Sequence, residues 1–231
     1  MLHPQPELQA ATAGEEEDEA ASAADAQMQG VNRAFATAKR AGVPAATRLM
    51  KELRRLCMNG SYEVSVNEDA PQPLLCWAVR LYEFNFDEDS TLAEDLAELS
   101  SRSGRDEPTP LCLCLKFPTD FPFSPPLVYV STPQLLSGHV LDGALCMEML
   151  VEWQPQYGNI EAMLVQICAF IGPSARVASL VPPAAGAAVA GASPGPSTPA
   201  TAVEQETAAA AYEVLRGIHE KKGWAPPDKH G

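Results

Sequence analysis

Apolar residues recur along the chain with two different periods, and the alternation between them lays out the elements. Over 47–57, TRLMKELRRLC, Leu49, Leu53 and Leu56 fall at i, i+4 and i+7, the spacing of one helix face. Arg48, Lys51, Arg54 and Arg55 then fall on the opposite arc. Residues 62–69 (YEVSVNED) and 74–85 (LLCWAVRLYEFN) are rich in aromatic and β-branched residues and bounded by turn formers, so both read as strands. LCLCLKF at 111–117 and LVYVST at 127–132 read as a third and a fourth. Between those two, PTDFPFSPP at 118–126 holds four prolines, which excludes regular structure.

The remaining segments are punctuated by caps. Thr91 and Glu94 have capping-box spacing ahead of Leu92, Leu96 and Leu99, which predicts a short helix within 86–110. Residues 134–158 follow neither period and contain a Gly-flanked stretch around Cys146. Asn159 can cap a helix whose Ile160, Met163, Leu164, Ile167, Cys168 and Ile171 form a broad apolar stripe, stopped by Gly172-Pro173. Thr201 and Glu204 open a last helix with Ala211, Leu215 and Ile218 on one face, ending near Gly223. A helix, four strands joined in succession, an irregular segment and two helices make an α+β domain on a four-stranded antiparallel meander.

Composition alters this outline mainly at its edges. Residues 1–30 contain no Lys or Arg and seven acidic residues, with an unbroken acidic run from Glu15 to Glu19. Few aromatic or branched apolar residues accompany that charge, so residues 1–44 read as an acidic, Ala-rich disordered tail. The tail is compatible with solvation alone or with partner binding. Residues 182–201 use only Ala, Gly, Pro, Ser, Thr and Val and read as a low-complexity insertion within a core domain spanning 45–227. The net charge of -14 argues against a general nucleic-acid or anionic-membrane binder. No run of about 18 apolar residues suggests a membrane helix, and no secretory leader pattern is visible. Six cysteines without a CxxC pair, and only four histidines, predict no zinc site. Reduced thiols in the cytosol or nucleus are the expectation.

The Pro-rich loop and the segment after it carry a resemblance. FPTDFPFSPPLVYVST followed by GALCMEML at 143–150 resembles the ubiquitin-conjugating enzymes, which place an FPF-x-PP loop after the third strand and a single cysteine after an irregular stretch. Trp153 with Pro155 is similar to the family's Trp-x-Pro crossover loop, and TRLMKEL to its basic opening helix. LSGHVLDGALCMEML and the ending IHEKKGWAPP resemble the Q-type subfamily. The resemblance covers roughly residues 45–178 and 205–227.

It implies the ubiquitin-conjugating fold and a transthiolation in which Cys146 takes ubiquitin from the activating enzyme as a thioester. The acyl group then passes to a substrate with a ligase's help, and no metal or cofactor is needed at this step. A thioester carrier needs one accessible thiol, a strong nucleophile near neutral pH. Cys146 lies in a non-periodic stretch beside Gly143 and Ala144, whereas Cys57, Cys76, Cys112, Cys114 and Cys168 lie on helix or strand patterns. The rival reading is a non-catalytic variant of the same fold that binds ubiquitin or a ligase; such variants lack the cysteine.

Most of the wider family carries His-Pro-Asn eight to ten residues before the cysteine, and the Asn stabilises the oxyanion. Here those positions hold Leu136, Ser137 and Gly138, as Q-type relatives also lack the motif. The donor is left open among Ser137, the backbone N–H groups of 137–144 and His139, which by itself reads first as a surface loop histidine. Glu148 reads either as a residue tuning the incoming nucleophile or as an exposed carboxylate. By resemblance, Pro122, Phe123, Trp153 and Pro155 form the surface gripped by ligases, with Pro125 and Pro126 shaping the loop. By the same resemblance Arg48, Lys51 and Arg55 face the activating enzyme, although the basic arc alone reads as a solvated face.

Overall fold

The computed structural model describes residues 25–105 and 107–181, together with Ala210, Glu213, Val214 and Gly217. Its element order begins with two helices, α1 (25–40) and α2 (Ala46–Asn59). Strands β1 (Glu63–Val66), β2 (Cys76–Leu81), β3 (Leu111–Lys116) and β4 (Leu127–Thr132) follow, with α3 (Thr91–Ser103) inserted after β2. Short strands β5 (Leu135–Leu136), β6 (Val140–Leu141) and β7 (Ala144–Leu145) lead to α4 (Glu148–Val151), α5 (Ile160–Ile171) and β8 (Arg176–Val177).

The main sheet runs β1-β2-β3-β4-β7-β6, antiparallel throughout. The four-stranded meander is therefore present, and β7 and β6 extend it beyond β4. Its register aligns apolar residues across the strands. Val64, Val79, Leu113 and Val130 form one row, and Val66, Trp77, Leu115 and Val128 the next. These rows merge with Leu49, Leu53 and Leu56 of α2 and Met163, Leu164, Ile167 and Ile171 of α5 into one core. A sheet with helices on one face is the two-layer solution to burying one side of each element.

Several elements form as their sequence dictates. Asn159 caps α5 by accepting the Ala162 N–H at 3.2 Å, and the six-residue apolar stripe is buried as the spacing predicts. The cap of α3 is Ser90 rather than Thr91: its hydroxyl accepts the Ala93 N–H at 3.1 Å. Thr91 instead donates its hydroxyl to the Gly172 carbonyl at 3.1 Å, tying α3 to the end of α5. The predicted strand 74–85 is shorter, because residues 73–75 and 83–85 each form a 3-10 turn.

The tail expected over 1–44 needs correction for its second half. Residues 25–40 form α1, with Val31, Ala34 and Ala38 buried. The spacing i, i+3, i+7 is helical, but two of the three residues are alanine, so the stripe hides in an Ala-rich segment. Alanine is the best helix former and lets α1 approach its neighbours closely. Gln27 donates to the Val64 carbonyl, Arg33 pairs with Glu68, and the α1 residue Asn32 accepts from Arg54 of α2. Residues 1–24, the insertion 182–201 and most of the last helix lie outside the described residues; Ala210, Glu213, Val214 and Gly217 are helical.

One ion pair ties the segment after α5 to α3. Asp95 of α3 is 2% exposed and accepts from Arg176 Nε at 2.8 Å, Arg176 Nη2 at 2.7 Å and the Val177 N–H at 2.7 Å. This fixes β8, which pairs with β5 at the entrance to the β6–β7 hairpin. Burial pushes the Asp95 carboxyl upward, but the Arg176 and Val177 hydrogen bonds and the guanidinium charge outweigh it, leaving it below the usual carboxylate range. A lowered carboxyl contributes stability above its unfolded value of about 3.9, lost as pH falls through the lower folded one. Asp95→Asn should therefore destabilise the protein by about 1–3 kcal/mol at neutral pH. In urea unfolding, the difference from wild type should hold between about pH 5 and 8 and close in acid below about pH 4.

Candidate functional site

The segment 134–158 has no period because it is assembled from short pieces. Leu141 pairs with Ala144 and Val140 with Leu145, leaving Asp142 and Gly143 as a two-residue turn. Their φ angles are 47° and 85°, both in the left-handed region, which suits the twist of a tight hairpin. The Asp-Gly dipeptide between Leu141 and Ala144 is the sequence signal that would have found it.

Gly143 is needed for space as well as for its backbone angle. Its carbonyl accepts the Val130 N–H at 2.7 Å, docking the hairpin on β4. A Cβ at this position would lie 2.8 Å from the Val130 carbonyl oxygen. The contact is with backbone, which cannot swing aside.

Cys146 is the first residue past this hairpin. Its N–H donates to the His139 carbonyl at 2.8 Å, which continues the ladder one step and sets His139 opposite Cys146. Directly opposed residues of an antiparallel pair share a face, with Cβ atoms about 4.5–5.5 Å apart. The His139 imidazole is exposed and packs on the Phe170 ring of α5, centroids 4.5 Å apart. Phe170 carries no signal of its own in the sequence, because it stands beside, not on, the buried stripe of α5. The His139 N–H donates to Ser137 Oγ at 3.1 Å and the Val140 N–H to the Ser137 carbonyl at 3.4 Å. Two of the backbone donors of 137–144 are thus already engaged within the loop. Glu148 is exposed at the start of α4, and its carboxylate makes no hydrogen bond or ion pair among the described residues.

Cys146 is half-buried beyond the hairpin end, Cys57, Cys76, Cys112 and Cys114 are half-buried on their helix or strands, and Cys168 is buried. Burial pushes Cys168 up to about 12, and raises Cys57 and Cys76, disfavouring their thiolates. Cys112 and Cys114 stand half-buried on the outer sheet face. Among the described residues no three His, Cys, Asp or Glu side chains are grouped to hold a metal ion. No helix among them is long and apolar enough to cross a membrane.

The two loops expected to form one surface do come together. Trp153 Nε1 donates to the Pro122 carbonyl at 2.8 Å, and the Trp153 ring lies 6.1 Å from buried Phe121. Phe121 contacts Phe117 at 5.1 Å, and Phe117 contacts Trp77 at 4.6 Å, so aromatic rings run from the core to the loop. Phe123 stands at the rim, 74% exposed, and Pro155 is exposed beside it in chain order after Trp153. Gly158 completes the join, since a Cβ there would lie 2.8 Å from Pro122 Cβ. Pro126 is buried and Pro125 half-buried, as suits residues that shape the loop.

The basic arc of α2 divides into two parts. Arg48 donates to the Gly158 carbonyl at 2.8 Å and pairs with buried Glu52 at 3.0 Å. Arg55 donates through Nε to Glu161 at 2.9 Å and through Nη2 to Asn159 at 3.2 Å. Both arginines therefore hold α2 to the loop and to α5. Of the three residues singled out, Lys51 alone makes no hydrogen bond or ion pair among the described residues. Sequence alone could not separate them, because the Gly158 carbonyl and the Glu161 carboxylate lie more than 100 residues away.

Gly143→Ala should lower stability by about 1–3 kcal/mol, from a positive φ and a forced shift of β4 or the hairpin. Alkylation of Cys146 by iodoacetamide should change in rate in the same variant, while Cys168 stays protected. Thermal unfolding and peptide mass mapping of the alkylated thiols check both.

No family model matches the chain. It is 35% identical over 196 residues to human ubiquitin-conjugating enzyme E2 Q1, covering 81% of this chain and 40% of that protein. The chain therefore spans less than half the length of that relative. It is 34% identical over 182 residues to human ubiquitin-conjugating enzyme E2 Q-like protein 1, covering 77% of this chain and 97% of that protein. Among solved structures, a ubiquitin conjugating enzyme E2 from Plasmodium falciparum shares 18% identity with a TM-score of 0.37, over 54% of this chain and 97% of that one.

Proposed function

The chain belongs to the Q-type ubiquitin-conjugating enzymes, and from that membership we propose that Cys146 carries ubiquitin as a thioester between an activating enzyme and an acceptor. The observation that supports this most directly is the presentation of Cys146 at the end of a hairpin locked onto β4 by Gly143. A nucleophile is useful only if its sulfur is held where a carbonyl can approach, and a tight turn docked on a central sheet supplies that rigidity.

The chemistry runs in two balanced steps. The Cys146 thiolate attacks the thioester carbonyl of ubiquitin on the activating enzyme. A new C–S bond forms at Cys146, the old one breaks, and the activating enzyme's cysteine departs as a thiolate. An acceptor amine or hydroxyl then attacks the Cys146 thioester, loses its proton and expels the Cys146 thiolate. Both steps pass through a tetrahedral oxyanion. His139 stands opposite Cys146 in the ladder with its ring braced by Phe170, so it is the side chain proposed to donate to that oxyanion. Glu148 is the carboxylate proposed to receive the acceptor's proton.

Partner surfaces follow from what each side chain is free to do. Lys51 is proposed to meet the activating enzyme, with Arg48 and Arg55 acting chiefly to hold α2 in place. Phe123 and Pro155, with Trp153 and Pro122 fixing their loops, are proposed to receive a ligase. An exposed aromatic rising from a rigid base is a suitable anchor for a partner. The alternative of a non-catalytic scaffold is not favoured, because the cysteine is retained and placed at the hairpin end.

Incubation with activating enzyme, ATP and ubiquitin should give a band on a non-reducing gel that thiol removes. Cys146→Ser should give a thiol-resistant ester and Cys146→Ala no band. Charging of Cys146→Ala at the wild-type level would overturn the assignment.

His139→Gly separates the oxyanion role from loop structure. Discharge of the thioester to free amine or hydroxyl acceptors should slow by about tenfold or more, within the range for losing one oxyanion donor. The extent of charging should be little changed. Discharge at the wild-type rate would return the role to the backbone.

A further inference from the structure

A groove of about 630 Å³ runs between α1 and α2 that the chemistry at Cys146 does not use. Phe35, Met50 and Met58 line it, with Lys51, Arg54 and Arg55 along its side. Met58 is 85% exposed, an unusual state for a large apolar side chain. Arg55 is neutralised by Glu161, and Arg54 meets only the neutral amide of Asn32. Lys51 and Arg54 are therefore positive charges without a carboxylate partner among the described residues. We infer that this groove is the docking site of the chain's own acidic run, Glu15–Glu19.

Charge complementarity is the first reason. The run places five carboxylates in succession in a segment that contains no Lys or Arg to balance them. The uncompensated cations of the groove match that chemistry, and Ala20 and Ala21, which follow the run, offer small apolar contacts for Met50 and Met58.

Chain geometry is the second. α1 and α2 are joined by five residues and run antiparallel: Asn32 meets Arg54, and Phe35 shares the groove with Met50. Residue 25 therefore lies at the Met58 end of the groove, next to β1, where Gln27 bonds to Val64. The acidic run ends only six residues earlier in the chain. Six residues extend up to about 20 Å, enough to turn back along α2 past Arg55 and Lys51. Exposed ion pairs are individually weak and screened by salt. A short tether compensates by raising the effective concentration of the run to the millimolar range.

Docking does not depend on the function proposed above. Its consequence does: where Lys51 receives the activating enzyme, the docked run masks that residue. The test reads docking without any enzyme assay.

The full chain, labelled with ¹³C at the methionine methyls, is compared with a variant carrying Glu15, Glu16, Glu17 and Glu19→Gln and Asp18→Asn. The Met50 and Met58 methyl resonances should move, and those of Met147 and Met163 should not. Raising salt from about 50 mM to about 0.5 M should carry the wild-type resonances toward the variant positions, since the Debye length falls. A synthetic peptide of residues 12–24 added to the variant should move them back. Acetylation of Lys51 by acetic anhydride should be about threefold faster in the variant at low salt, because the docked run no longer covers its amine, with Lys116 as the unchanged reference. Superimposable spectra at Met50 and Met58 would overturn the inference. Wild-type resonances that shift on dilution would also overturn it, since the occupant would then be a second copy.

Discussion

The close approach of Gly143 to β4 is the constraint from which the site follows. The hydrogen bond from Val130 at 2.7 Å draws the hairpin turn against the sheet, leaving no room for a side chain. With the turn fixed, the register of β6 on β7 is fixed, and a one-residue slip would exchange the two faces of the hairpin. The ladder therefore places His139 opposite Cys146 and leaves the imidazole beside Phe170. An apparently irregular stretch is rigid because each of its short pieces is fastened to something long.

A second chain of contacts gives the exposed loops the same firmness. Trp77, Phe117, Phe121 and Trp153 form successive ring contacts from the centre of the sheet to the surface. Each such pair contributes about 0.5–1.5 kcal/mol beyond the area it buries. The outermost ring uses its N–H to hold the Pro122 carbonyl. Phe123 is thus exposed on a loop whose base belongs to the core, so its position does not depend on its own packing.

Charge on α2 serves cohesion before recognition. Arg48 reaches the Gly158 carbonyl and Arg55 reaches Glu161, so two of the cations that look like a docking stripe tie α2 to the loop before α5 and to α5 itself. Asp95 does the corresponding work at the other end, where one buried carboxylate satisfies both arms of Arg176 and a backbone N–H. What remains uncommitted on α2 after these internal demands is Lys51, Arg54 and the groove beside Met58.

The sequence by itself determined the elements whose signals are local. The leucine spacing of α2, the Asn159 cap and apolar stripe of α5, and the β-rich runs of the meander all appear where their patterns place them. The motif around Cys146 was legible as a resemblance, whereas the Asp142-Gly143 turn ahead of it was passed over in a stretch without period. Tertiary structure decided the rest. α1 was hidden because two of the three residues of its buried stripe are alanine, which does not stand out in an Ala-rich segment. β5 and β8 are two residues each and exist only as partners of one another, held by an ion pair between residues 95 and 176. Whether Arg48 or Arg55 faces a partner or an interior carbonyl depends on residues more than 100 positions distant. Periodicity along a chain records which face of an element is buried, but carries no record of which distant group completes a hydrogen bond there.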